Sequence, residues 1–186
     1  VLDLCPAPGG KTMQLAAASH RVTALDRSKS RLARLADNLA RTGLEGELVS
    51  ADALAWTSPG PAHAILLDAP CSATGTSRRH PEVLYRARPS VIAESVALQA
   101  RLIDHAATLL KPGGTLVYSV CSLEPEEGEA QVDRFLAEHP DFRIAPAVEL
   151  PPGIQPCPEG WVRILPGMLE TQGGLDGFFA VRLRSA

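Results

Sequence analysis

The apolar run Ala64-Ile65-Leu66-Leu67 stops at Asp68-Ala69-Pro70-Cys71-Ser72. A short apolar run halted by Asp-x-Pro-Cys reads as a buried strand of a parallel sheet. Its end carries a carboxylate and a thiol to the carboxyl edge, where open α/β sheets bind their ligands. A second run, Thr115-Leu116-Val117-Tyr118-Ser119-Val120, ends the same way in Cys121-Ser122. Asp68 offers an acceptor, or a donor if protonated, and each thiol is a potential nucleophile. A chain with two strands ending in thiols is constrained to a fold that gathers strand ends on one edge.

The remaining segments supply such a fold. Val1-Leu2-Asp3-Leu4 reads as a strand, Cys5-Pro6-Ala7-Pro8-Gly9-Gly10-Lys11-Thr12 as a turn, and Met13 to Ala18 as the start of a helix. Glycine allows a ligand close to the backbone, and free N–H groups at a helix start point toward it. This is not a phosphate loop, because Cys5 stands where the Walker pattern has its first glycine. The next strand, Arg21 to Leu25, ends at Asp26, where a carboxylate in such folds accepts hydrogen bonds from ribose hydroxyls. An adenosine-type ligand therefore suits the corner better than a free phosphate. Leu32, Leu35, Ala36 and Leu39 mark the core face of a helix from Lys29 to Thr42, with Gly43 as its cap. A third strand, Glu47 to Ser50, closes at Asp52. Asp26, Asp52 and Asp68 thus fall along one edge, although an aspartate there can equally cap a turn.

Beyond Cys71, the polar segment Ala73 to Pro81 holds Arg78 and Arg79, and Arg86 and Arg88 follow. Arginines beside the reactive edge suit a phosphodiester backbone, with solvated surface charge as the alternative. A long helix is expected from about Ser90 to Leu110, then a Lys111-Pro112-Gly113-Gly114 turn into the Cys121 strand. Glu124, Glu126, Glu127 and Glu129 precede a helix whose core face is Val132, Phe135 and Leu136, and they read as complements to its dipole. Ala145 to Pro166 is proline-rich and reads as an irregular excursion, with Cys157 incidental to it. Gly177 to Leu183 is a last strand.

Alternating strands and helices in 186 residues argue a single α/β domain, a doubly wound, mostly parallel sheet. The net charge of −3 sets up no global basic field, so any polyanion site is local. Four cysteines without C-x-x-C spacing argue against a metal site or a disulfide scaffold and for a reducing, cytoplasmic setting. No apolar run approaches a membrane span, and a monomer is expected. Because Val1 falls within a strand, the chain reads as part of a longer protein.

Leu2-Asp3-Leu4-Cys5-Pro6-Ala7-Pro8-Gly9-Gly10-Lys11-Thr12, Asp68-Ala69-Pro70-Cys71-Ser72-Ala73-Thr74-Gly75, and Val120-Cys121-Ser122 followed by Pro125-Glu126-Glu127 resemble the RNA 5-methylcytosine methyltransferases of the RsmB/Sun (Nop2/Sun) family. Arg78-Arg79-His80-Pro81 and Asp176-Gly177-Phe178-Phe179 add to the likeness, which spans essentially the whole chain. Val120 and Gly128 depart from the family's usual Thr and Asn and bear on a hydrogen bond near Cys121. The resemblance implies a seven-stranded, Rossmann-like class I methyltransferase catalytic domain over residues 1–186, with the family's amino-terminal RNA-binding region absent from this chain. It also implies S-adenosylmethionine along Cys5, Pro6, Ala7, Pro8, Gly9, Gly10 and Lys11, with Asp26 on the ribose, Asp52 near the adenine and Asp68 at the reacting centre. By the same resemblance Cys121 is the nucleophile, Cys71 assists product release, RNA is the partner, in the first place 16S ribosomal RNA, and no metal takes part.

A thiol has a clear use in that chemistry. Carbon 5 of cytosine is a poor nucleophile until a thiolate adds at carbon 6 and makes it enamine-like. Asp68, if protonated, would donate to ring nitrogen 3. Two rival readings are a methyltransferase for a small molecule or protein with structural thiols, and a non-catalytic RNA-binding or ribosome-assembly module that keeps the cofactor fold.

Overall fold

The computed structural model describes residues 1–6, 8–146 and 149–186. Five parallel strands form the frame: β1 (Leu2–Leu4), β2 (Thr23–Asp26), β3 (Glu47–Ser50), β4 (Ala62–Asp68) and β5 (Leu110–Val120). Three antiparallel additions follow, β6 (Phe142–Ile144), β7 (Val162–Ile164) and β8 (Phe178–Ser185). The sheet order is β3-β2-β1-β4-β5-β8-β6, with β7 also paired to β8. The order reverses between β1 and β4, which opens a crevice above their carboxyl ends. Both the glycine turn and Asp68 stand at that crevice.

The helices are α1 (Gly10–Ala17), α2 (Lys29–Thr42), α3 (Val83–Arg86), α4 (Pro89–Thr108) and α5 (Glu129–Glu138). One sheet face buries Ile65, Leu67, Leu116, Tyr118, Val120, Phe179, Val181 and Leu183 together with Leu102, Ile103 and Ala106 of α4 and Val132 and Phe135 of α5. On α2, Leu32, Leu35 and Leu39 gather with Ala24 of β2 in a second cluster. Ser28 caps α2 by accepting from the Arg31 N–H, and Gly43 ends it in the left-handed conformation.

Three departures from the sequence expectation are local. Lys111-Pro112-Gly113-Gly114 is no separate turn but lies inside β5, where the pairing register jumps from Ala62–Leu110 to Ala64–Thr115. The Pro-rich excursion contributes β7, and β6 ends just before it at Ile144. Three-residue strands have too little pattern to announce themselves, and they exist because β8 presents an edge to pair with. A four-residue helix, α3, stands within the basic loop.

Candidate active site

The turn after β1 is built by backbone constraint. Cys5 adopts a left-handed φ of 76° while its N–H donates to Leu25 O at 3.1 Å, tying the turn to β2. Burial pushes the Cys5 thiol up to about 12, so it is a lining group and a poor nucleophile. Pro6 is buried, Pro8 O accepts from Asn38 Nδ2 at 3.2 Å, and Ala7 lies outside the described residues. Gly9, the N-cap of α1, has φ 108°, and a Cβ there would lie 2.2 Å from Leu35 Cδ1. Gly9 therefore serves the packing of α2. Among the described residues a Cβ added at Gly10 would meet nothing within 4 Å, and the start of α1 carries no side-chain cap. Free N–H groups beside an open approach leave room for a ligand.

Two buried carboxylates face this corner. Asp26 Oδ1 accepts from the Ser28 N–H at 2.8 Å, while buried Oδ2 accepts no hydrogen bond among the described residues and lies 3.6 Å from Arg31 Nε. An acceptor left over at a strand end fits a hydroxyl-bearing ligand. Asp3, in the middle of β1, accepts from Thr12 Oγ1 at 2.6 Å, and its Oδ1 has no partner among the described residues. Burial raises the Asp3 carboxyl to about 6. Asp3 joins the candidate site residues, and a lone carboxylate inside an apolar strand is its signal in the sequence. Asp52 is exposed and caps a turn, accepting from the Leu54 N–H at 2.9 Å. It follows Ala51, whose N–H bonds Asp26 O at 3.3 Å, so it stays on the same edge.

At the ends of β4 and β5 the reactive groups converge. Lys11 Nζ lies 2.7 Å from Asp68 Oδ2, Ser119 donates to Asp68 Oδ1 at 2.8 Å, and the Lys11 ammonium sits 5.2 Å from the Phe178 ring centre. The Cys71 and Cys121 sulfurs are 3.5 Å apart. The thiols are differentiated. Cys121 is lowered, chiefly by the hydrogen bond from Cys71, against its own burial. Cys71 is raised, by that same contact first and then by burial. A Cys71 S–H directed at the Cys121 sulfur is the pairing that favours thiolate at Cys121.

Both terminal motifs close over this edge. The Gly75 N–H donates to Cys121 O at 3.1 Å, and the Gly177 N–H donates to Gly75 O at 2.7 Å. Arg78 and Arg79 both pair with Asp176. Of the four glutamates expected as helix complements, only Glu129 stands in the first turn of α5, where Arg163 pairs with it. Glu127 is a correction: its carboxylate is buried and accepts from Ser72 and Ser122, the residues that follow the two thiols. Nothing in the local spacing distinguishes it from its neighbours. Gly128 leaves room for Arg163, whose Nη2 would be 2.5 Å from a Cβ there, and Val120 is buried in the core. Among the described residues one group has the donor set for a metal, Asp104, Glu138 and His139, and the Arg134 guanidinium already pairs with both of its carboxylates.

Known proteins resemble the chain in sequence and fold. The family model described as 16S rRNA methyltransferase RsmB/F matches residues 1–184. The chain is 42% identical over 189 residues to the ribosomal RNA small subunit methyltransferase B of Erwinia tasmaniensis, covering 98% of this chain and 41% of that protein. To its namesake in Thermus thermophilus it is 42% identical over 184 residues, covering 99% and 44%. The chain therefore spans less than half the length of these curated relatives. Among solved structures, NSun6 from Pyrococcus horikoshii with SFG superimposes with a TM-score of 0.86 at 30% identity, covering 99% of this chain and 47% of that one. A methyltransferase homologue from the same organism gives 0.78 at 30%, covering 100% and 61%. By sequence and fold, the chain belongs to the 16S rRNA methyltransferase RsmB/F family.

Proposed function

We propose that the chain transfers a methyl group from S-adenosylmethionine to carbon 5 of a cytosine in 16S ribosomal RNA, through a covalent bond between Cys121 and carbon 6, in the cytoplasm. The observation that carries the reading is the pair of sulfurs 3.5 Å apart at adjacent strand ends, with Cys121 lowered and Cys71 raised. A structural thiol needs no such differentiation.

S-adenosylmethionine supplies the methyl group when bound; Asp26, Asp3 and the open backbone at Gly10 are the groups to hold it. Cys121 adds as thiolate to carbon 6, and the ring electrons move to carbon 5, which takes the methyl group. Loss of the carbon 5 proton to a base then lets the Cys121–carbon 6 bond break and thiolate leave. The Cys71 S–H, already against the Cys121 sulfur, stabilises that departing thiolate. Of the two roles open to Asp68, the ion pair with Lys11 favours the acceptor. A carboxylate there accepts from the exocyclic amino group of cytosine, and the Lys11 ammonium offsets charge that builds in the ring. The test is bisulfite sequencing of ribosomal RNA from cells with and without the gene: one protected cytosine that disappears with the gene is expected, and an unchanged pattern sinks the reading.

Asp26→Ala is expected to weaken S-adenosylmethionine binding about tenfold to a hundredfold, since lost charge-assisted hydrogen bonds are worth about 1.5–3 kcal/mol. Calorimetry checks it, and unchanged affinity removes Asp26 from the site.

RNA is also suited to the surface beside the thiols. Arg79 is close enough to act electrostatically on Cys121. The loop then continues into α3, where Leu84 is 62% and Tyr85 82% exposed. Arg86 and Arg88 follow them, a local concentration of positive charge and aromatic surface on a chain of net charge −3. Exposed aromatics with arginines match unstacked bases and their phosphates. Arg86→Ala with Arg88→Ala is expected to lower RNA affinity at all sequences and reduce the slope of log K against log salt by about 1.4 to 2, with cofactor affinity unchanged. Filter binding across a salt series reads both.

A further inference from the structure

Glu127 is fully buried, at 0% exposure, and among the described residues its carboxylate accepts hydrogen bonds from neutral groups and from no cation. Four donors satisfy it. Oε1 accepts from the Ser72 N–H at 2.9 Å and from Gln99 Nε2 at 3.1 Å. Oε2 accepts from the Ser72 and Ser122 hydroxyls, both at 2.5 Å. A buried carboxylate is tolerated only when its lone pairs are met in this way, so the four donors are held as firmly as the carboxylate itself.

What those donors are attached to gives the arrangement its meaning. Ser72 directly follows Cys71, and Ser122 directly follows Cys121. Gln99, from α4, also donates to Pro70 O at 2.8 Å, on the other side of Cys71. Tyr118, three residues before Cys121 on β5, donates to Glu127 O at 2.6 Å. The two serine hydroxyls are themselves 3.1 Å apart, and Thr74 Oγ1 lies 3.2 Å from Ser122 Oγ while accepting from the Leu123 N–H at 2.9 Å. One carboxylate therefore binds the segments that carry both thiols. Its oxygens are all committed to those segments and to α4, and α5 begins only at Glu129, so a role as a helix-dipole complement does not account for it.

We infer that Glu127 is a positioning residue, which locks the Cys71 and Cys121 segments together so that the two sulfurs stay in hydrogen-bond contact. The inference rests on the reading of Cys121 as the attacking thiol, and it assigns the preparation of that thiol to a group that touches neither sulfur. The negative charge of Glu127 is also among the causes that raise Cys71, which helps the proton remain on the donor side of the pair. Cys121 is faced by Cys71, Asp68, Lys11 and Arg79. Substitution of Glu127 replaces none of these four, and the inference requires that its effect on Cys121 pass through the Cys71 contact.

The test measures the thiols directly and needs no RNA. Iodoacetamide alkylation of the purified chain is followed against pH, with Cys121 read by peptide mass spectrometry and Cys157 as internal reference. Glu127→Gln keeps the side-chain length but replaces one accepting oxygen with a donor. At pH 7 it is expected to slow Cys121 alkylation about tenfold, a rise of about one pKa unit, with the variant and the parent converging above about pH 10. In a Cys71→Ala background the same substitution is expected to add nothing. An unchanged Cys121 profile overturns the inference, whatever happens to the melting temperature, and so does a shift that persists without Cys71. Should Glu127→Gln fail to fold, Ser72→Ala and Ser122→Ala each remove one donor and are expected to shift Cys121 in the same direction by less; no shift in either overturns it. Failure of the methyl-transfer reading shows instead as absent RNA methylation by the parent protein, which leaves the thiol profiles untouched.

Discussion

Cys121→Ala is expected to abolish methylated product and to form no covalent RNA adduct, whereas Cys71→Ala is expected to attack, transfer the methyl group and then stall as a protein–RNA species stable on denaturing gels. The asymmetry follows from the geometry. Without Cys121 nothing adds at carbon 6, and carbon 5 stays unreactive. Without Cys71 the addition and transfer can proceed, but the departing Cys121 thiolate loses the S–H donor that sits 3.5 Å from it. The measurement is a pair of gels with labelled RNA and labelled S-adenosylmethionine, one per variant. Adduct trapped by the Cys121 variant alone would reverse the two roles, and full activity in both would remove the covalent step. Alanine is the cleaner probe, since a serine hydroxyl still hydrogen-bonds in either place.

Gly75→Ala should be among the most destabilising single substitutions available. A Cβ on Gly75 would lie 2.1 Å from Gly177 O and 2.6 Å from its carbonyl carbon, and both obstacles are backbone. Side-chain rotation cannot relieve that overlap, so β8 and the Cys71 segment must move apart. Relief also breaks the bonds from the Gly177 N–H to Gly75 O and from the Gly75 N–H to Cys121 O. We expect a loss of about 3 kcal/mol or more, which for a domain of this size is roughly 10 °C in melting temperature. Gly10→Ala is the control, because none of the described residues lies within 4 Å of its added methyl group. It should melt within about 2 °C of the parent and yet bind S-adenosylmethionine more weakly, if that open space is the ligand's approach as proposed. Calorimetric melting of both variants checks the pair, and equal melting temperatures would show that the Gly75–Gly177 contact does not hold the edge together.

The elements that a residue pattern can announce are those whose stability is local or whose burial is repetitive. α2 falls where its apolar period and its Gly43 cap place it, and β3 spans the expected Glu47–Ser50. The Asp68–Cys71 and Cys121 strand ends are legible because a fully buried strand is a nearly unbroken apolar run that ends abruptly. The glycine turn is legible too, although not the division of labour within it. Gly9 answers to Leu35 on α2, a residue far along the chain, and only Gly10 is left open.

Sequence alone therefore determined the parallel α/β class, the edge on which the chemistry gathers, and the residue types that stand there. Tertiary structure decided which of those residues act on one another. That Cys71 meets Cys121, that Asp68 is paired with Lys11, and that Arg79 meets Asp176 depend on contacts across 50, 57 and 97 positions of chain. Glu127 shows the reason most plainly. Among four similar glutamates, the one that matters is selected by the donors packed around it, from Ser72, Gln99 and Ser122, because the energy of a buried charge is set by its surroundings and not by its neighbours in sequence.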